Sequence, residues 1–182
     1  LLRVIHYETG VPLIMKSWLS GVTSVALIAA SLSMGAVRAD GPVSSRLEAL
    51  KVTADASGQE SFVAAGEVAP GDLIEYRLTY ANSGKTAVSQ LAVNGPVPKG
   101  TTYVPGSAST TVRHELKFSY DNGQTWLSTP PVREVRAADG RTQQRPAGPE
   151  EITNVEWQVR EPLKVGSTQA YRYRVKVLAV PG

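Results

Sequence analysis

His114 is one of only two histidines in the chain, the other being His6, so imidazole-dependent catalysis in the body of the protein would have to run through it. No nucleophile-elbow motif accompanies it. It shares an alternating face with Leu116 and Phe118, which predicts a partly buried, hydrogen-bonded ring. The chain has no cysteine, which excludes thiolate nucleophiles and disulfides, and with His114 the one histidine after residue 39 zinc ligation is not expected. Glu150 and Glu151 are adjacent, whereas two glycosidase acids stand about 5 to 9 Å apart across a cleft; a solvated charge pair is predicted. Asp121, Asn122 and the Asp139-Gly140 turn carry oxygen ligands suited to calcium but lack the spacing of a calcium loop. Gly-rich phosphate cradles are absent. The expectation is a protein that is not an enzyme and needs no cofactor or metal.

Binding chemistry remains. Residues 129–152 contain Pro130, Pro131, Pro146 and Pro149 with Arg133, Arg136, Arg141 and Arg145. This composition predicts a long, solvated Pro/Arg-rich loop, and the four arginines are the candidate contacts for an anionic partner. A second motif, Ser119-Tyr120-Asp121-Asn122-Gly123-Gln124-Thr125-Trp126, matches the Asp-box pattern familiar from sialidases and other β-propellers. Its aspartate can accept hydrogen bonds from turn amides while the aromatic packs beneath, so the motif predicts a structural hairpin around Asp121, Gly123 and Trp126. One such motif cannot build a propeller.

The elements that position these residues are extended. Residues 68–84 form the clearest unit. Pro70, Gly71 and Asp72 make a corner, Ile74, Tyr76, Leu78 and Tyr80 alternate with Glu75, Arg77 and Thr79, and Asn82, Ser83 and Gly84 close the strand. Similar alternation marks 47–54, 61–68, 88–94, 101–104, 111–120, the run Val155, Trp157, Val159, and the run Tyr171, Tyr173, Val175, Val177. The segment 95–100 is too proline-rich for a central strand and reads as a loop or an edge. Gly71 and Gly166 are each followed five residues later by a tyrosine-led strand, Tyr76-Arg77-Leu78 and Tyr171-Arg172-Tyr173. This echo predicts two sheets entered by similar corners.

No helical period runs through the chain after residue 39, and short alternating strands recur between turn signals. The predicted fold is all-β, an immunoglobulin-like antiparallel β-sandwich of about seven to nine strands. Tyr76, Tyr80, Phe118, Trp126, Trp157, Tyr171 and Tyr173 are its predicted core aromatics.

The leading segment differs. Met15 is followed by Lys16, an apolar run, and Ala36-Val37-Arg38-Ala39, the order of a secretory signal, with small residues at Val37 and Ala39. The expected organisation is upstream translation over 1–14, a signal peptide over 15–39, a flexible arm over 40–46 and the β-sandwich over 47–182. The apolar run is too interrupted for a bilayer span, so the mature chain is expected to have none. The formal charge of +3 shrinks on export. Removing Arg3, Lys16, Arg38 and Glu8 leaves 16 basic and 15 acidic residues, which offers no basis for nucleic-acid binding.

Val68-Ala69-Pro70-Gly71-Asp72, the run from Tyr76 to Gly84, Leu91-Ala92-Val93, Pro96-Val97-Pro98-Lys99-Gly100-Thr101 and Tyr103-Val104-Pro105-Gly106-Ser107 together resemble the immunoglobulin-like repeat domain of unknown function found in bacterial surface and secreted proteins. The resemblance implies a single copy of a non-catalytic β-sandwich, periplasmic or extracellular, and carries over no ligand residues. The expected function is an exported structural or protein-interaction module with an envelope or extracellular protein as partner. The alternatives are a small-ligand or glycan-binding module and, more remotely, a hydrolase.

Overall fold

The structure is a computed structural model that describes residues 42–137 and 139–179. The expected upstream segment and signal peptide lie outside the described residues. Eleven strands follow in order: β1 Val43–Ala54, β2 Glu60–Ala64, β3 Leu73–Asn82, β4 Ala92–Pro96, β5 Thr101–Tyr103, β6 Ser109–Thr110, β7 His114–Ser119, β8 Val132–Arg136, β9 Thr142–Pro146, β10 Asn154–Val159 and β11 Thr168–Val177. Among the described residues a single 3-10 turn occupies Pro149–Glu151. Among the described residues no helix is long and apolar enough to cross a membrane.

Two antiparallel sheets face each other. The larger has the order β2-β1-β3-β11-β5, with β6 also paired to β11, and the smaller has the order β4-β10-β7. Alternation on β3, β10 and β11 creates the core. Ile74, Tyr76, Leu78, Tyr80, Tyr171, Tyr173 and Val175 from the large sheet meet Val93, Val155, Trp157 and Val159 from the small one, all buried. The Trp157 ring lies 5.6 Å from Tyr171 and 6.0 Å from Tyr173, and Tyr103 lies 5.3 Å from Phe118. These contacts join the two inner faces across the sandwich.

Several expectations change. The strand count exceeds the seven to nine read from the sequence, because β6 spans two residues and β8 and β9 lie inside the segment read as a loop. The arm expected at 40–46 is strand from Val43 onward, with Val43 opposite Asn82 and Arg46 opposite Thr79. Its polar residues pair by backbone, which composition does not register. The two echoing strands enter one sheet, not two. β3 and β11 are direct neighbours, Tyr76 stands opposite Tyr173 with ring centroids 5.2 Å apart, and the glycines of both corners have positive φ, +92° at Gly71 and +71° at Gly166. Trp126 is only half-buried and sits outside the core, over the turn at Gly123. The proline-rich 95–100 segment begins on β4, which is indeed an edge strand.

The predicted turn residues act as read. Asp72 accepts a hydrogen bond from the Ala69 amide at 2.7 Å and pairs with Lys51 at 2.7 Å, closing the Pro70-Gly71 corner. Asn82 is buried, and its amide donates to the carbonyls of Thr86 and Leu163 while its oxygen accepts from the Gly84 amide.

Candidate functional site

Among the described residues, three of the places that bring polar side chains together bear on function, and only two were visible in the sequence. The first is the 119–126 hairpin. Asp121 Oδ1 accepts from Ser119 Oγ at 2.7 Å and from the amides of Gln124 and Thr125, while Oδ2 accepts from Thr125 Oγ1 at 2.6 Å. These bonds, led by the Thr125 hydroxyl, pull the Asp121 carboxyl down to about 2. Asn122 and Gly123 both take positive φ, as the tight turn demands. All the Asp121 bonds named here are spent on the turn itself. At the other end of β7, His114 Nδ1 lies 2.8 Å from the Val112 carbonyl, and the residue is half-buried.

The second place is the segment read as a Pro/Arg-rich loop. It is an ordered antiparallel ribbon, with β8 and β9 paired from Val132 opposite Pro146 to Arg136 opposite Thr142. The ribbon joins neither large sheet nor small sheet. Its predicted arginines are divided. Arg133 and Arg145 are cross-strand partners and converge on Glu151, at 3.3 and 3.2 Å, with Arg145 also 3.7 Å from Glu150. Glu151 further accepts from the Gly148 amide, and that bond followed by the two guanidinium groups holds its carboxyl below the ordinary value. Arg141 pairs loosely with Asp139 at 3.9 Å, and Arg136 stands apart on the exposed strand. Glu134, Asp139, Glu150 and Glu151 balance the four arginines within 129–152, so the segment is not basic. Proximity of the acids in sequence was the available signal, and the arginines masked it.

The pairing pattern distinguishes the two edges of the ribbon. The Ala137 amide donates to the Arg141 carbonyl and the Ala147 amide to the Pro131 carbonyl. Bonded pairs therefore fall on the odd-numbered residues of β8, and Val132, Glu134 and Arg136 turn their backbone groups outward. On β9 the outward residues are Thr142, Gln144 and Pro146, and proline has no N–H to offer. The β8 edge is thus the one with an intact row of donors. Val132 is 63% exposed beside it.

The third place was not anticipated. Glu75 lies on the outer face of the large sheet, where alternation assigns it to solvent, yet it is 1% exposed. Its Oε1 accepts from Arg77 Nε at 2.7 Å and its Oε2 from Arg174 Nε at 2.9 Å. The outer nitrogens of Arg174 form a two-pronged bond to Glu60 at 2.7 and 2.6 Å, and Arg77 lies 4.4 Å over the Phe62 ring. β2 and β11 are three strand spacings apart in sheet order, about 14 Å in a flat sheet. The Glu60–Arg174 fork therefore requires the β1–β2 hairpin to curl over the face of β3. Between that hairpin and the 104–109 loop is an open hollow of about 640 Å³, whose lining includes Phe62, Leu73, Val104, Pro105 and Arg172. Finding it from sequence requires the strand register, since Glu60, Glu75 and Arg174 are far apart in the chain.

No family model, no curated protein and no solved structure matches this chain.

Proposed function

We propose that the chain is an exported, non-catalytic β-sandwich module that binds a protein partner in the cell envelope or outside the cell. The carrying observation is the β8–β9 ribbon. A two-stranded ribbon on its own is marginally stable in water, yet this one is anchored at its base by Arg133, Arg145 and Glu151 and presents nine of its ten strand residues to solvent. An ordered strand with a free row of amides is a template for an added strand from a partner, with backbone hydrogen bonds providing affinity and alternate side chains providing selectivity. Export is supported by the leader pattern over 15–39, and the single-copy surface-domain reading by the motifs between residues 68 and 107.

The test is to replace residues 134–144 by Asn-Gly, which keeps Arg133 and Arg145 opposed across a tight turn. Partner recovery from an envelope extract of the producing cells falls to background for the shortened chain while its unfolding midpoint is retained. Equal recovery by both chains overturns the proposal.

A further inference from the structure

Arg172 on β11 stands directly opposite Arg77 on β3, both on the outer face of the large sheet. Like charges at directly opposed positions repel and cost stability. Each guanidinium is hydrogen-bonded through its Nε alone, Arg77 to Glu75 at 2.7 Å and Arg172 to Ser109 Oγ at 2.8 Å; Arg77 also lies over the Phe62 ring, and Arg172 lies within the electrostatic reach of Glu60. Among the described residues, the outer nitrogens of both arginines have no hydrogen-bond partner. Arg174, two residues along, has all three of its nitrogens engaged by Glu75 and Glu60, so the guanidinium of the hollow whose outer nitrogens are uncommitted is that of Arg172.

The geometry points to a binding site in this hollow for a monocarboxylate that carries an apolar group. Arg172 is oriented by Ser109 so that its two outer nitrogens can grip a carboxylate in parallel, a planar match that a guanidinium makes with both oxygens at once. Phe62, Leu73, Val104 and Pro105 supply the apolar wall. The volume of about 640 Å³ falls within the roughly 300 to 1,000 Å³ of small-molecule sites. Glu60 and Glu75 also line the hollow, so a doubly charged phosphate meets more repulsion than a singly charged carboxylate does. This site lies on a different face-forming set of strands from the ribbon and does not depend on the ribbon's role.

The experiment is a two-dimensional amide NMR titration of the chain with four probes: octanoate, N-acetyl-leucine, N-acetyl-leucinamide and inorganic phosphate. Octanoate represents a free organic acid and N-acetyl-leucine a peptide C-terminus. Saturable shifts at residues 104–109 and 172 with either carboxylate support the site, and the stronger of the two identifies the source. The amide binds at least about 10-fold more weakly, the fold-change expected for losing a charge-assisted bidentate bond, and phosphate, which has no apolar group to lay on the wall and meets Glu60 and Glu75, binds more weakly than either carboxylate. Arg172→Gln weakens carboxylate binding by a similar factor. Ser109→Ala, which releases the Nε tether without removing the charge, weakens it less. Both side chains lie on the outer face, and an unchanged amide spectrum away from the hollow confirms that each variant is folded. No saturable shift with either carboxylate, equal binding of the amide, tighter binding of phosphate, or an unchanged affinity in Arg172→Gln overturns the inference.

Discussion

Glu75 on β3 and Arg174 on β11 stand opposite each other across the strand pairing, with Nε to Oε2 at 2.9 Å. The carboxylate is 1% exposed although it lies on the face that alternation turns toward water. Two guanidinium groups, those of Arg77 and Arg174, replace its hydration. Removing an arginine from such a set leaves the buried carboxylate short of a partner, and removing the carboxylate breaks two charge-assisted hydrogen bonds at once; either costs more than breaking an exposed pair.

Glu75→Ala, which takes this partner from Arg77 and Arg174 while Arg174 keeps Glu60, is expected to lower the unfolding free energy by about 2 kcal/mol. Arg46→Ala breaks the Arg46–Glu48 pair, where the arginine side chain is 70% exposed, and is expected to cost under about 1 kcal/mol. Denaturant unfolding of both variants checks the contrast, and equal effects contradict the assigned role of Glu75.

Gly95→Ala tests the fit between the sheets. A Cβ at this position would stand 2.5 Å from Tyr173 Cε1, and Tyr173 cannot retreat because it is fully buried, stacked on Tyr76 and donating its hydroxyl to the Pro96 carbonyl. Overpacking of this kind costs roughly 1 to 3 kcal/mol. Thermal unfolding is the measurement, and a variant as stable as the parent would mean that β4 does not lie against that ring.

Asp121 gives the fold a pH-dependent contribution with a definite sign. Its carboxyl titrates near 2 in the folded chain against an ordinary value of 3.8, so the stabilisation is present above about pH 4 and is lost as the pH falls toward 2. Asp121→Asn keeps much of the turn's shape but removes the titrating group. The stability gap between parent and Asp121→Asn should shrink across that interval when denaturation is followed as a function of pH. A gap that stays constant from pH 6 to pH 2 rules out the assignment.

The parts of this fold that were legible in the sequence are those where local rules and burial agree. Tyr76, Tyr80, Tyr171 and Tyr173 alternate with polar residues and are buried as expected. Asp121, Asn122 and Gly123 form the hairpin their types demand. The rest depends on register. The Gly71 and Gly166 corners look alike because they lead into neighbouring strands, but only the pairing shows that these share one sheet. Glu75 and Arg174 each look solvated until their strands are side by side. In 129–152, prolines and arginines suggested a loop, whereas the cross-strand pair Arg133 and Arg145, joined through Glu151, fixes a ribbon.

The central claim is that the β8 edge of that ribbon receives a partner strand. Glu134→Pro removes an outward amide from this edge without touching the β8–β9 bonds, and Gln144→Pro does the same on the opposite edge. Partner recovery from an envelope extract, measured side by side for the two variants and the parent, decides it. The account predicts recovery lost with Glu134→Pro and retained with Gln144→Pro; retention in both, or equal loss in both, would contradict it.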